Sequence, residues 1–141
     1  MVSRIALVSC VKTKANRACP AGDLYTSAWF TKAKSLIERS GLDWFILSAE
    51  HGLVDPRMVI APYEKTLNKM GIADRKSWAA RVTAQMSDVL PEAHEVVILA
   101  GDRYRENLMP YLRNRFSKVT IPMEGLTSGR QLNWLDNASN I

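Results

Sequence analysis

Hydrophobic and polar residues follow one another along the chain in blocks whose periods predict an α/β fold. Four apolar runs rich in β-forming residues predict buried strands, at residues 5–8, 44–48, 95–100 and 118–122. Each run is followed by a polar segment and then by apolar residues at helical spacing. This alternation predicts a mostly parallel four-stranded sheet with helices on both faces, in a single three-layer domain of residues 1–141.

Capping and helix-breaking residues predict where the helices begin and end. Thr26 or Ser27 is expected to cap the first helix, and Gly41 to end it. Asp74 is expected to cap the second helix. Pro110 lies within the third helical pattern and predicts a kink or a break there.

Two further segments have expected local structure. Thr127 or Ser128 is expected to cap the last helix. Pro56 and Pro62 predict that the loop after the second strand contains no regular structure.

Composition narrows the class of protein. Hydrophobic residues form 47% and charged residues 23% of the chain, as is ordinary for a soluble globular protein. No apolar run approaches the roughly 20 residues that span a bilayer, and the N-terminus lacks signal-peptide features. We therefore expect a cytoplasmic protein without a membrane partner. Cys10 and Cys19 are expected to be free thiols, and for Cys10 a buried structural role is favoured over a catalytic one.

The net charge of +5 and the pI near 9.4 are compatible with a nucleic-acid or phosphorylated partner. Right-handed crossovers would bring every strand-to-helix loop to one edge of the sheet. The residues of interest in those loops are Ser9, Cys10, Lys12, Lys14, Ser48, Glu50, His51, Gly101, Asp102, Arg103, Tyr104, Glu124, Gly125, Thr127, Ser128 and Gly129.

Glu50 and His51 form the sharpest catalytic candidate in these loops. A histidine titrates near neutrality, and an adjacent carboxylate can orient it or act as a base. The alternative is structural, with Glu50 capping a turn and His51 packing beside Gly52. Asp102 is either a helix cap or a second catalytic carboxylate opposite Glu50.

The other loops suggest ligand binding. Lys12 and Lys14 are either anion ligands or a solvated flank of the first strand. The segment 124–131 combines glycines and hydroxyls at a helix N-terminus, which suits phosphate. Tyr25, Tyr63 and Tyr104 are candidates for stacking on a base. Motifs for a P-loop, a dinucleotide site, a zinc protease and a serine hydrolase are absent, so no cofactor and no catalytic metal are expected.

Several segments together resemble one family. They are LVSCVKTK at 7–14, LYTSAWFTKAKSLIE at 24–38, ILSAEHGLVDPRMVIAPYEKTL at 46–67, VVILAGDRYRENLMPYL at 96–112 and IPMEGLTSGRQLNWL at 121–135. The chain resembles the short bacterial and phage domains of the YaaA-like group, which includes a peroxide-response DNA-binding protein. The resemblance implies an α/β domain with one pocket formed by Ser9, Lys12, Lys14, Ser48, Glu50, His51, Gly52, Tyr63, Gly101, Tyr104, Gly125 and Gly129.

Three functional hypotheses follow. The leading one is an enzyme that acts on a nucleobase, nucleotide or nucleic-acid base by glycosidic-bond or base-modification chemistry, with Glu50 or Asp102 as acid/base and His51 orienting the substrate. The second is a nucleotide- or nucleic-acid-binding module without chemistry, dependent on its basic residues, Arg103 among them. The third is a protein-interaction domain in stress response or phage biology.

Overall fold

The fold is organised around one mostly parallel sheet. We describe residues 2–141 of a computed structural model. Its strands are β1 (Val2–Ser9), β2 (Cys19–Pro20), β3 (Asp43–Ser48), β4 (Gly52–Val54), β5 (Val59–Ile60), β6 (Ala93–Leu99) and β7 (Lys118–Thr120). Five of them form the main sheet in the order β4-β3-β1-β6-β7, whereas β2 and β5 form a separate antiparallel pair.

β1 is the central strand, parallel to β3 on one side and to β6 on the other. Val8 is in register with Ile46 of β3 and with Leu99 of β6, so the carboxyl ends of the three strands meet at one edge. Residues 5–8 are fully buried, as expected for a strand covered on both faces. The predicted strands correspond to β1, β3, β6 and β7, and the expected mixed α/β class is confirmed.

The expectation of four strands is wrong, because β4 adds a fifth strand antiparallel to β3. The expectation that the loop after the second strand lacks regular structure is also wrong, since it contains β4 and β5. β4 has three residues and β5 has two, too few to show a period in the sequence. The prolines do act as boundaries, because Pro56 follows β4 and Pro62 follows β5.

Four of the helices contact one another in two pairs. The helices of the chain are α1 (Ala21–Leu24), α2 (Ala28–Arg39), α3 (Ile72–Val89), α4 (Asp102–Arg105), α5 (Met109–Arg115) and α6 (Ser128–Asn137), with a 3-10 turn at Leu67–Lys69. α2 contacts α6, where Trp29 Nε1 donates to Gln131 Oε1 at 2.9 Å. α5 contacts α3, where the Arg115 guanidinium donates to the carbonyl of Met86. Within residues 2–141, no helix is long and apolar enough to cross a bilayer.

The helix caps agree with the sequence in two cases and differ in one. Ser27 Oγ accepts from Phe30 N at 3.1 Å and caps α2, and Thr127 caps α6. The expected Asp74 cap of α3 is wrong, since the helix begins earlier, with Gly71 as its cap. Asp74 lies in the first turn, where a carboxylate still interacts favourably with the helix dipole.

The predicted third helix is broken next to Pro110, as expected. The helix stops after Arg105 and resumes at Met109, so that Pro110 lies in the first turn of α5. A proline is tolerated there because the first N–H groups of a helix have no intrahelical acceptor.

The turn between β3 and β4 is bound by α3. Gly52 has a φ of +75°, a conformation that favours glycine. Gln85 of α3 accepts from Leu53 N through Oε1 at 2.8 Å and donates through Nε2 to the carbonyl of His51 at 3.2 Å. A Cβ at position 52 would lie 2.2 Å from Gln85 Oε1, so any side chain there would displace this amide.

We expect Gly52→Ala to lower the free energy of unfolding more than Gly41→Ala does. Gly41 has a similar φ of +70° but nothing within 4 Å of an added Cβ. Gly41→Ala therefore measures the destabilisation caused by the positive φ alone, without a steric clash. The excess at position 52 should be about 1 kcal/mol, because Gln85 loses its bonds to the turn. Chemical denaturation of both variants, alone and with Gln85→Ala, measures this. An excess that persists in the Gln85→Ala background would contradict the explanation.

Candidate functional site

The crevice at the carboxyl end of β1 is the topological switch point of the sheet. The chain passes from β1 to β3 on one side and later crosses to β6 on the other side of β1. In open α/β sheets, ligands bind where the strand order reverses in this way. A groove of about 1180 Å³ opens here, larger than most small-molecule pockets.

Three segments form the groove wall. They are the loop after β1, the segment 63–70, and the first turns of α3. On α3, Asp74, Ser77, Trp78 and Arg81 have the spacing i, i+3, i+4 and i+7, which places them on one helix face. Trp78 Nε1 donates to the carbonyl of Ser48 at 2.9 Å and so anchors this face to the end of β3.

Positive charge dominates the wall. The cationic side chains are Lys12, Lys14, Lys65, Lys69 and Arg81, and we call this site the basic groove. Its carboxylates are Glu64 and Asp74. Lys65 Nζ lies 4.0 Å from a carboxylate oxygen of Glu50. For the other four cations, no carboxylate of residues 2–141 lies within that distance, so their charge is available to a ligand.

Tyr104 and Cys10 form the floor of the groove. Cys10 Sγ donates to Tyr104 Oη at 3.4 Å and accepts from Ala49 N at 3.4 Å, and Leu67 N donates to Tyr104 Oη at 3.3 Å. Burial raises the pKa of Tyr104, with a further contribution from Cys10, so its hydroxyl stays protonated. Cys10 and Cys19 are both free thiols, as expected.

A chain of hydroxyls lies behind one side of the groove. Tyr25 Oη and Tyr63 Oη are 2.6 Å apart, and Ser48 Oγ donates to Tyr63 Oη at 2.8 Å. Ser48 Oγ also accepts from His51 N at 3.0 Å, which connects the chain to the β3–β4 turn. Burial raises the pKa of Tyr25 to about 12, and burial is also the main cause of the raised pKa of Tyr63. These hydroxyls therefore remain neutral hydrogen-bonding groups.

Lys14 lies over this tyrosine pair. Its Nζ is 4.5 Å from the ring centroid of Tyr63 and 5.7 Å from that of Tyr25. The rings of His51 and Tyr63 also form a T-shaped pair, at a centroid distance of 5.6 Å. Desolvation lowers the pKa of the Lys14 ammonium, against smaller opposing effects of Cys10 and Glu64. Because Lys14 covers the Tyr63 ring, a base cannot stack there without displacing it.

The three predicted catalytic residues do not line the basic groove. Glu50 is 44% exposed, and its carboxylate pairs with Lys65 of the groove. His51 is exposed on the same turn. Asp102 is 81% exposed and pairs with Arg105. The structure thus leaves these residues outside the groove lining, although the guanidinium of Arg81 donates to the carbonyl of Glu50 at 3.0 Å.

The predicted binding residues fall into three groups. Lys12, Lys14, Tyr63 and Tyr104 line the basic groove. Gly101 and Gly125, together with Asp102, line a separate cavity of about 240 Å³. The remaining ones line neither cavity; Ser9, Ser48 and Gly52 are buried, whereas Arg103, Ser128 and Gly129 are exposed.

Most residues of the basic groove are not predicted from the sequence. Three of its five cations, Lys65, Lys69 and Arg81, are not among the residues that the sequence singles out. One signal was present, because a polar stripe at helical spacing runs along α3 through Asp74, Ser77 and Arg81. Within residues 2–141, no group of three or more potential ligand residues is arranged to hold a metal ion.

The chain matches the model of a protein family over most of its length. Residues 5–137 match the model of a family of unknown function, DUF6884. The chain belongs to this family. No curated protein and no solved structure shows significant similarity to it. The DUF6884 match includes every residue of the basic groove, so the groove lies within the part of the chain that defines membership.

We expect the free energy of unfolding to fall as the pH rises from about 10 to about 12. Burial raises the pKa of Tyr25 from 10.0 to about 12, so the folded state retains the proton that the unfolded state releases. This stabilisation is complete below pH 10 and is lost as the pH passes the folded pKa, at a cost of the order of 2 kcal/mol.

Urea denaturation at a series of alkaline pH values measures this loss. Tyr25→Phe should have a shallower pH dependence, because the ionising hydroxyl is gone. The matched control Tyr111→Phe removes a hydroxyl on α5 and should keep the original slope. Identical slopes in both variants would show that Tyr25 does not carry the effect.

Proposed function

We propose that the protein binds a nucleotide or nucleic-acid ligand in the basic groove and acts on its base or its glycosidic bond. The observation that carries this proposal is the set of four cations without carboxylate partners, at the switch point of a parallel sheet. Ligand phosphates would replace the missing counter-charges. A groove lined by one sign of charge also attracts oppositely charged ligands at long range.

The lower part of the groove suits an apolar, flat group. Trp78 and Ala49 lie beside Tyr104 on the floor of the groove, and all three residues are buried. The two aromatic rings meet edge to face at 5.8 Å, so each is already packed against the other. A nucleobase would therefore rest on an apolar floor, with its phosphate on the rim, rather than between two aromatic faces.

We also infer the layer arrangement of the domain and its relationship to the YaaA-like group. The separate contacts of α2 with α6 and of α3 with α5 support helices on both faces of the sheet. The SAEHGL segment at 48–53 and the PYEKTL segment at 62–67 support kinship with the YaaA-like group. The single-domain organisation and the cytoplasmic location remain predictions from the sequence.

A second candidate is a binding module without chemistry. The observation that favours it is the placement of Glu50, His51 and Asp102 outside the basic groove. Of the carboxylates of this set, only that of Glu50 approaches the groove, through its ion pair with Lys65. In a binding module without chemistry, the SAEHGL segment has a structural role, as the turn that joins β3 to β4 and binds α3 through Gln85.

We expect Lys12→Ala and Arg81→Ala each to weaken binding of a fluorescein-labelled single-stranded oligonucleotide by about three- to tenfold at low salt. Each variant removes one phosphate contact, so the slope of log affinity against log salt should also fall by about 0.7 for each contact. Fluorescence anisotropy measures both quantities. The matched controls are Lys118→Ala and Arg113→Ala, exposed residues on β7 and α5 that do not line the groove. Equal losses in all four variants would contradict the proposed site.

Glu50→Gln separates the two candidate functions. We expect the affinity for the same oligonucleotide to change less than twofold, since Glu50 does not line the groove. Turnover of a panel of nucleosides, nucleotides and oligonucleotides is measured in parallel by chromatography. Loss of turnover at unchanged affinity supports the enzyme with Glu50 in the catalytic role. Turnover that survives in both Glu50→Gln and His51→Ala removes that role, and absence of turnover in the parent protein supports the binding module.

A further inference from the structure

Lys14 is held differently from the other lysines of the basic groove. Its backbone forms an isolated antiparallel bridge with Tyr25, and Thr26 N donates to the carbonyl of Thr13 at 3.0 Å beside it. The ammonium group donates to the carbonyl of Lys12 at 3.1 Å. Lys14 is partly buried, whereas the other groove lysines are exposed. Its amine is therefore positioned in the wall rather than free in solvent.

Burial weakens the preference of this amine for its charged form. The tyrosine rings beneath it exclude water on one side, and no carboxylate of residues 2–141 lies within 4.0 Å of Nζ. The titratable groups that face it are Cys10, Glu64, Tyr25 and Tyr63. Desolvation outweighs the opposing effects of Cys10 and Glu64 and lowers the pKa of Lys14. A desolvated lysine presents its lone pair at a lower pH than a solvated one, which is the usual basis of Schiff-base chemistry.

We propose that Lys14 is a nucleophile that forms an imine with a phosphorylated sugar bearing an aldehyde. This inference rests on the proposed function and names the substrate class of the same groove. Hydrolysis of an N-glycosidic bond leaves a sugar that opens to an aldehyde, so the proposed glycosidic chemistry generates such a group. The ligand is an aldose 5-phosphate, either free or present as an abasic sugar in a nucleic-acid strand.

The reaction balances without a co-reactant. The Nζ lone pair attacks the aldehyde carbon and forms a C–N bond, while the carbonyl π electrons move to the oxygen. A proton passes from nitrogen to that oxygen and gives a carbinolamine. The hydroxyl then leaves as water after gaining a second proton from solvent, and the nitrogen lone pair forms the C=N bond. The resulting iminium returns the remaining N–H proton to solvent and becomes the neutral imine. One amine and one aldehyde thus yield one imine and one water.

The groove supplies the other requirements of this step. Lys12 lies on the same loop as Lys14, and Lys65, Lys69 and Arg81 lie on the other segments of the wall, so phosphate can bind beside the amine. The groove is open to solvent, which supplies the protons for the leaving hydroxyl. Lys14 therefore does chemistry that an exposed surface lysine does poorly, on a ligand that the neighbouring cations retain.

The experiment traps the imine by reduction. The protein is incubated with cyanoborohydride and one of three probes: 2-deoxyribose 5-phosphate, a single-stranded oligonucleotide with one abasic site, or unphosphorylated 2-deoxyribose. Peptide mapping by mass spectrometry locates the reduced adduct. We expect the adduct at Lys14 to exceed that at Lys118, a surface lysine outside the groove, and to persist at a lower pH.

Two variants act as controls. Lys14→Arg keeps the charge and its position over the tyrosine rings but has no neutral amine at these pH values, so the groove adduct should disappear. Lys118→Arg should leave the adduct at Lys14 unchanged. Circular dichroism of both variants confirms that the fold is retained. Modification of Lys14 at no more than the Lys118 level would overturn the proposal.

The three probes separate the possible outcomes. An adduct at Lys14 with either phosphorylated probe supports the inference, and the more reactive one identifies the source as a free sugar phosphate or a strand. Selective reaction of Lys14 with all three probes at equal rates supports the nucleophile but overturns phosphate binding, and with it the proposed function. Tight binding of the phosphorylated probes without an adduct at Lys14 overturns the inference and leaves the proposed function standing.

Discussion

The parallel pairing of β1 with both β3 and β6 is the constraint on which the rest of the structure depends. It buries β1 on both sides and places Cys10 at the centre of the carboxyl edge. The next segments are then positioned relative to that edge. Tyr63 reaches Ser48 at the end of β3, and Tyr104 reaches Cys10 at the end of β1. The groove exists because these polar segments cross the end of the sheet without filling it.

The SAEHGL segment has a clear structural role in this arrangement. Ser48 receives the N–H of His51 and donates to Tyr63, so that its side chain joins the turn to the groove wall. Gly52 allows the amide of Gln85 to approach the backbone closely. These contacts explain why this run of residues is needed at the end of β3, and they leave Glu50 and His51 on the outer surface.

Burial and charge divide the groove into two chemical zones. The rim carries exposed cations, where contacts with phosphate are screened by salt and tolerate motion of both partners. The inner wall holds Lys14, Tyr25 and Tyr63 in a partly buried cluster. Desolvation lowers the pKa of Lys14 and raises the pKa of both tyrosines, because it disfavours the charged form of each group. In the proposed function, phosphate binds at the rim, and in the proposed imine chemistry the reacting amine lies in the inner wall.

The sequence alone determined the elements whose pattern is long enough to be periodic. The strands at 5–8 and 95–100, the cap of α2 by Ser27 and the basic charge follow from local residues. Only the tertiary structure decided which polar residues meet. β4 is too short for a period, and its pairing depends on contacts with β3 and α3. Lys12 and Arg81 are far apart in sequence but line one groove. Glu50 and Asp102 lie after β3 and β6, the two strands that flank β1, yet neither lines that groove. The reason is that packing, rather than order along the chain, sets the direction of a side chain.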